Sequence, residues 1–427
     1  MKNVYIKTFG CQMNVHDSER MLGLLIEKGY VAVDEPGEAD LVLFNTCSIR
    51  DKAEQKFYSM LGRLKNLKKK NPSVKIAVAG CIAQQEGEGV KKRVPYVDLV
   101  IGPQNIEKVQ EVDVVDRGVF IEENPDLAVN ELPAERDSSV RAWVNIMYGC
   151  NNFCSYCVVP YTRGKERYRP SENIIAEIRQ LALKGYKEVN LLGQNVNSYT
   201  GEVSFPGLLG LVNDIDGIER IRFVTSHPKD LGEELVSAMK DLDKVCEHMH
   251  LPMQSGSTKN LSLMNRKYSF EEYLNKVEML REAIPDIAIT SDIITGFPGE
   301  SDEDHRETIS AMERIRFDGL FAFKYSSRPM TKAAEMEDHI DDRVKSERLN
   351  EILELQDDIT LQKNKRLEGS IVNVLFDDIP DRGMLSGRTR SNKIVNIEDS
   401  VEILPGTSTD TVIVEANKHS LTGRLMK

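Results

Sequence analysis

No apolar run in the 427 residues approaches the roughly 18 needed to span a bilayer. The opening stretch MKNVYIKTFGCQMN also lacks the uninterrupted apolar core of a secretory signal. These two absences lead to the expectation of a cytoplasmic protein with no membrane partner. Positive charge is not in excess: 56 Lys and Arg face 68 Asp and Glu, a net charge of −12. That excludes an indiscriminate DNA binder, which needs a basic domain, but local basic stretches can still meet RNA phosphates. ITGFPGE (294–300) has turn glycines but not the G-K-S/T ending of a phosphate-binding loop. The seven histidines form no catalytic constellation; His227, His248 and His250 fall at predicted strand ends, as structural or site-shaping side chains.

Cysteine is present in small number and in telling places: Cys11, Cys47, Cys81, Cys150, Cys154, Cys157 and Cys246. A reducing compartment makes disulfides the wrong use for them. Cys246 reads as an inert buried thiol. The chain is long enough for two to three domains. In its first part, short apolar strands at Val4–Gly10, Asp40–Cys47, Lys75–Gly80 and Val97–Gly102 alternate with helical patterns at Asp17–Lys28, Asp51–Lys70 and Gln84–Arg93. That alternation predicts an α/β unit with a parallel sheet. Its first three strands end at FG-Cys11, NT-Cys47 and AG-Cys81. Ligands in open α/β sheets gather beyond the carboxyl ends of strands, so these three thiols are expected to converge on a metal site.

A polar stretch, Glu122–Ser139, reads as a linker. A second βα series follows, with strands at Arg141–Met147, Val189–Gly193, Ile221–Ser226, His248–Met253, Ile287–Thr295 and Leu320–Tyr325. Six repeats predict a partial (βα)6 barrel open on one side, closed off by a long helix at Asp342–Lys365. From Gly369 the runs SIVNVLF, MLSGRTR, KIVNI, SVEIL and DTVIVEA predict a small antiparallel β-barrel. Two uses stand for it: oligonucleotide binding on one face, or packing and dimerisation. The resulting division is 1–122, 136–366 and 367–427.

Cys150-Asn-Asn-Phe-Cys154-Ser-Tyr-Cys157 packs three cysteines into eight residues with no fourth cysteine or histidine nearby. Structural zinc takes four ligands, usually in paired spacing. Three thiolates on a cubane iron–sulfur cluster leave one iron open, whereas electron-carrying clusters normally have four protein ligands. The C-x3-C-x2-C spacing after a first barrel strand resembles the radical S-adenosylmethionine superfamily. Around it, TFGCQMN (8–14), NTCSIRDKAEQK (45–56), AGCIAQQEGE (79–88), YGCNNFCSYCVVPYTRGKERYRP (148–170), LLGQNVNSY (191–199), TSHPKDL (225–231), HLPMQSGS (250–257) and MNRKYS (264–269) resemble the MiaB family. GRTRSNK (387–393) and HSLTGR (419–424) resemble the TRAM domain, a small RNA-binding barrel.

That resemblance implies tRNA methylthiotransferase activity on carbon 2 of N6-isopentenyladenosine next to the anticodon, using two S-adenosylmethionine molecules. It assigns Cys11, Cys47 and Cys81 to an auxiliary 4Fe–4S cluster, and Cys150, Cys154 and Cys157 to the cluster that cleaves S-adenosylmethionine. Tyr156, Gln194, Asn195, Gln254, Ser255 and Asp292 are the candidate cofactor contacts; polar residues at strand ends that merely satisfy backbone groups are the other reading. The auxiliary site stands as sulfur holder, sulfur source or electron relay. The implied partners are a tRNA substrate, a low-potential electron donor such as flavodoxin and iron–sulfur carrier proteins, with the chain acting as a monomer. Two sister activities fit the same architecture, on threonylcarbamoyl-adenosine in tRNA or on a ribosomal-protein aspartate. A non-catalytic iron–sulfur RNA-binding regulator is the alternative of another class.

Two basic stretches are candidate RNA contacts. Tyr161–Pro170 interleaves Arg163, Lys165, Arg167 and Arg169 with two tyrosines, which suits phosphate neutralisation with base stacking; a solvated charged loop has the same composition. Arg388, Arg390 and Lys393 are expected to add phosphate contacts from the terminal barrel. KNLKKK (65–70) reads as a solvated helix end. One departure from the family pattern is Met330 where Arg-Pro-Gly-Thr is usual, which predicts altered backbone geometry at that turn.

Overall fold

The computed structural model describes residues 1–48, 51–129, 131–377, 385–397 and 403–426, with residues 51–53 by backbone only. The chain divides into two compact units: Met1–Asp137 with Met147–Asn151 and Cys157–Arg169, and Ser138–Ile146 with Asn152–Tyr156 and Pro170–Lys427.

The first unit is built on a six-stranded, wholly parallel sheet: β1 (Lys2–Thr8), β2 (Tyr30–Ala32), β3 (Leu41–Thr46), β4 (Lys75–Gly80), β5 (Leu99–Ile101) and β6 (Gly118–Phe120), in the order β2-β1-β3-β4-β5-β6. β3 is buried along its whole length, as a strand covered on both faces must be. One face packs Phe9, Phe44 and Phe57 edge to face with centroids 5.7–6.2 Å apart. Phe57, Leu61 and Leu64 supply that contact from the helix Asp51–Lys70, at the spacing of one helical stripe, while Lys68, Lys69 and Lys70 end the helix where cations complement its dipole. The other face takes Met21, Leu24 and Leu25 from the helix Gln12–Glu27, and Ile106, Val109 and Val112 from a 3-10 turn. The expected strands are all present. The edge strands β2 and β6, three residues each, are additions, and the expected helix Gln84–Arg93 is broken at Gly87 into Cys81–Glu86 and Glu88–Arg93. A short antiparallel ribbon pairs Met147–Tyr148 with Arg167–Tyr168.

In the second unit, Arg141–Asn145, Glu188–Leu192 and Arg220–Phe223 form one parallel sheet, and His248–His250, Ala288–Thr295 and Gly319–Lys324 another. Hydrogen bonds from Ile221 N to Lys244 O and from Cys246 N to Ile221 O join them edge to edge. Six parallel strands therefore follow one another in chain order, as the partial barrel requires. Helices Phe270–Ala283 and Asp302–Ile315 each begin with a capping box, Ser269/Glu272 and Ser301/Asp304. The long helix spans Asp342–Lys365, as expected.

The terminal strands Ile371–Phe376, Ser386–Thr389, Ile394–Ile397, Leu421–Leu425 and Ser408–Ala416 close into a barrel in that order. It is antiparallel except where Ile394–Ile397 runs parallel to Leu421–Leu425. The expected strand SVEIL (400–404) lies partly outside the described residues, and its described end, Ile403–Leu404, is not strand. The fifth strand is Leu421–Leu425, inside the segment carrying HSLTGR. Among the described residues, no helix is long and apolar enough to cross a membrane.

Candidate functional site

Cys11, Cys47 and Cys81 follow the carboxyl ends of β1, β3 and β4, which are adjacent in the sheet. Two glycines make the approach possible. Gly10 stands at φ +133, and a Cβ there would strike Cβ of Cys47 and lie 2.8 Å from Asn14 Oδ1. Gly80 stands at φ +91, with the Thr46 carbonyl and the Asn45 amide where its Cβ would be. The FGC and AGC runs are thus a requirement of close packing between thiol-bearing loops. Asn14 and Asn45, both fully buried, stitch the loops together: Asn14 Nδ2 donates to Asn45 Oδ1 and Thr46 O at 3.1 Å, and Asn45 Nδ2 donates to Asn14 O at 2.7 Å. The Cys11 thiol lies 3.4 Å from Asn14 Oδ1.

A hydrogen bond with Cys47 brings the Cys11 thiol down to about 6, against the opposing effect of burial and with help from the charge of Arg163. Burial pushes Cys81 up, and the charge of Arg163 pulls the other way. Burial works against the Arg163 cation, but Asp17, Cys81 and Cys11 outweigh it and hold the guanidinium charged. Arg163 Nη2 donates to Asp17 Oδ2 at 2.8 Å, with side chains 6% and 2% exposed. Among the described residues, no three Cys, His, Asp or Glu side chains close up as a ready cage for one metal ion. Thiols that each hold a different iron of a cubane need no such cage.

Of the basic residues expected to meet RNA after the cysteine loop, Lys165 is the exposed one. Arg163 belongs to the thiol site, Arg169 is buried on Glu131 at 2.8 and 2.9 Å, and Arg167 bonds Gln104 Oε1 at 2.7 Å and the Asn124 carbonyl. A buried guanidinium already paired with a carboxylate is not presented to a phosphate.

In the second unit, Gln194, Asn195, Gln254 and Ser255 follow strand ends of the partial barrel, Asp292 lies within the strand Ala288–Thr295, and Tyr156 sits in the cysteine loop. Asn195 is buried, donating to Asp230 Oδ2 at 2.8 Å and accepting from the His227 backbone at 3.0 Å. Gln254 takes φ +70 with its Oε1 buried and unpartnered among the described residues, a polar atom left for something not made of this chain. Ser255 lies 3.3 Å from the Thr308 hydroxyl, and Asp292 lies 3.5 Å from His250. Gln194 is half-buried beside Asn195 in sequence. Tyr156 meets a residue that the sequence reading missed: Arg266, wholly buried. Arg266 donates to the hydroxyls of Tyr156 (3.3 Å) and Tyr268 (3.0 Å), to the Cys154 thiol (3.3 Å) and to the Pro252 carbonyl (3.2 Å). The backbone of Ser155 is tied to Met264 O and Ala333 N, which fixes the segment carrying Cys154 and Tyr156. MNRKYS was the available signal for Arg266, as TFGCQMN and NTC were for Asn14 and Asn45.

Arg388, Arg390 and Lys393 stand where the terminal barrel meets the βα sheet. Arg390 forks onto Glu247 at 2.7 and 2.8 Å, Arg388 bonds Asn392, and Lys393 bonds Asn364 Oδ1 at 2.8 Å. Two buried arginines reach back from the strand Arg220–Phe223. Arg220 donates to the Arg388 carbonyl and to Asn373, and Arg222 to the carbonyls of Thr389 and Arg390 as well as to Glu188. This seam is a charged clamp internal to the second unit.

Three family models match the chain: uncharacterized protein family UPF0004 over residues 3–102, the radical SAM superfamily over 144–312 and the TRAM domain over 365–426. A tRNA-2-methylthio-N(6)-dimethylallyladenosine synthase of Thermodesulfovibrio yellowstonii is 58% identical, over 99% of this chain and 98% of its own length. The chain belongs to that synthase family. A second member, from Syntrophus aciditrophicus, is 50% identical over 100% of this chain and 95% of its own. Among solved structures, the radical S-adenosylmethionine methyltransferase TsrM of Kitasatospora setae shares the fold with a TM-score of 0.57 at 14% identity, covering 78% of this chain and 77% of its own. The cobalamin-dependent S-adenosylmethionine radical enzyme OxsB matches at 0.52 and 11%, over 83% of this chain and 56% of its own. Set in this synthase family, the MiaB and TRAM resemblances drawn from the motifs hold along the whole chain.

Proposed function

We propose that this chain methylthiolates carbon 2 of N6-isopentenyladenosine next to the anticodon of tRNA, as an enzyme of the radical S-adenosylmethionine class. The observation that carries the reading is the delivery of Cys11, Cys47 and Cys81 to neighbouring strand ends, in a chain that belongs to the synthase family. The donor chemistry fits two 4Fe–4S clusters: one on Cys11, Cys47 and Cys81, the other on Cys150, Cys154 and Cys157, each one thiolate short of full ligation. When bound, these clusters and two S-adenosylmethionine molecules supply what no side chain can, one-electron opening of an unactivated aromatic C–H bond and a methylated sulfur to put there.

The chain's own residues supply position and charge. Gly10 and Gly80 let the thiol loops touch, and Asn14 and Asn45 lock them. Arg266 grips the segment around Cys154 and Tyr156, burial opposing its charge while Tyr156, Tyr268 and Cys154 hold it. Tyr156, Gln194, Asn195, Gln254, Ser255 and Asp292 are the proposed contacts of the S-adenosylmethionine, with Gln254 Oε1 the best-supported acceptor. Lys165 is the proposed phosphate contact beside the cysteine loop, being exposed where its arginine neighbours are engaged. Arg388, Arg390 and Lys393 act in this reading through the seam, keeping the RNA-binding barrel in place. The division 1–122, 136–366 and 367–427 separates sulfur chemistry, cofactor chemistry and RNA capture. A low-potential donor such as flavodoxin, iron–sulfur carriers, a monomeric state and a cytoplasmic location complete the proposal.

The test is mass spectrometry of tRNA nucleosides from cells lacking the gene, before and after restoring it. Isopentenyladenosine that accumulates and then gains one methylthio unit supports the reading. An isopentenyladenosine pool that does not change overturns it.

A further inference from the structure

Among the described residues, Arg163 is the strong cation built into the thiol site, and the proposed reaction gives it no task. It lies six residues beyond Cys157 in a stretch whose charge pattern suggests solvent, yet its side chain is buried against Asp17, 2.8 Å away. Asp17 comes from the helix that begins directly after Cys11, so cation and carboxylate are both anchored to the elements that carry the thiols. The short helix Val159–Thr162 that leads into Arg163 packs on the helix Cys81–Glu86, and the guanidinium charge acts on both Cys81 and Cys11. A formal charge in a dry site is felt far more strongly than at the surface. Burying it is costly unless it is paired, so its presence beside Cys81 and Cys11 calls for an explanation beyond packing.

We infer that Arg163 is a positioning residue of the Cys11–Cys47–Cys81 site and that, with Asp17, it sets the reduction potential of the cluster held there. This rests on the reading that those three thiols hold a four-iron cluster. Reduction adds an electron, which a nearby cation stabilises and a nearby anion opposes; charge and hydrogen bonds to sulfur are the protein's main levers on such potentials. The same cation favours an anionic sulfur ligand at the open iron over a neutral one. Arg163 and Asp17 are therefore opposing settings of one control.

The experiment uses the full chain with Cys150→Ala, Cys154→Ala and Cys157→Ala, so that one cluster site remains. It is reconstituted anaerobically with iron and sulfide and titrated redox-wise by electron paramagnetic resonance. Arg163→Gln shifts the midpoint to more negative potential, Asp17→Asn shifts it to more positive potential, and Arg163→Lys stays near the parent. Opposite signs from two neighbouring substitutions cannot come from general loosening of the fold, which moves both the same way. Shifts of the same sign, or none, overturn the inference while leaving the cluster reading intact. A parent chain that takes up no iron overturns the cluster reading and the inference with it. Weaker tRNA binding by Arg163→Gln at unchanged potential returns Arg163 to an RNA role and also overturns it.

Discussion

Gly80→Ala puts the convergence of the thiol loops to a quantitative test. Gly80 precedes Cys81 at φ +91 and ψ −158, a region open essentially to glycine. Alanine there costs about 1–3 kcal/mol in backbone strain. Its Cβ also meets the Thr46 carbonyl and Asn45 amide and sits 2.8 Å from Thr46 N, so β3 itself has to move. Overpacking of that kind adds roughly 1–3 kcal/mol. Gly29→Ala is the control: the same unit, φ +84, and nothing within 4 Å of the added methyl. It carries strain alone, about 1–2 kcal/mol. The assay is native-state hydrogen exchange of the apo-protein, read on peptides covering Leu41–Thr46 and Lys75–Gly80. Opening free energy at β3 and β4 falls by about 2–6 kcal/mol for Gly80→Ala and by clearly less for Gly29→Ala. Equal effects of the two substitutions would refute the claim that the thiol loops meet through glycine.

Three further outcomes follow from other parts of the molecule. Arg222→Met leaves Glu188 buried without its partner and should cost about 3–5 kcal/mol, seen as faster exchange in Ser386–Thr389 of the terminal barrel; protection equal to the parent contradicts the clamp. Met330 holds φ +68 with its side chain 50% exposed, so Met330→Gly should relieve about 1 kcal/mol of strain and raise Tm, whereas a lower Tm contradicts it. Burial, then the charges of Arg222, His250, Arg388 and Lys393, push His248 well below its ordinary value, with Thr290 bonded to its Nε2 and Glu188 and Glu247 also in the seam. A base whose folded pKa is depressed binds its proton on unfolding. The stability it lends is therefore complete above the unfolded value near ~6.5 and is lost as pH falls below it. Urea midpoints measured from pH 8 to pH 5 should fall, and His248→Asn should flatten that slope; an unchanged slope contradicts the assignment.

The parts legible in the sequence are those where one physical demand dominates. Strand–helix alternation gave the parallel sheet and the partial barrel because each apolar run has to be buried on both faces. The cysteines at strand ends were legible because ligands gather beyond the carboxyl ends of parallel strands; the close approach that Gly10 and Gly80 permit shows only in the fold. Two edge strands were not, since three residues such as Tyr30–Ala32 carry too little pattern to stand out from a loop. Arginines are the residues whose surroundings sequence conveys least. Composition cannot tell a guanidinium aimed at phosphate from one buried on a carboxylate several elements away, as Arg163 on Asp17 and Arg390 on Glu247 show. Arg266 was passed over for the same reason: its partners Cys154 and Tyr156 are remote in sequence.

The most direct test of the central claim is the iron content of the anaerobically reconstituted chain and its single cysteine variants. With two four-iron clusters the parent binds about eight irons. Cys11→Ala, Cys47→Ala and Cys81→Ala each should lose about half, the same half, while Cys246→Ala, whose buried thiol is pushed up by burial and lies outside both sites, should lose none. Full iron in any of the first three variants, or half in Cys246→Ala, would contradict the assignment of these thiols to one cluster.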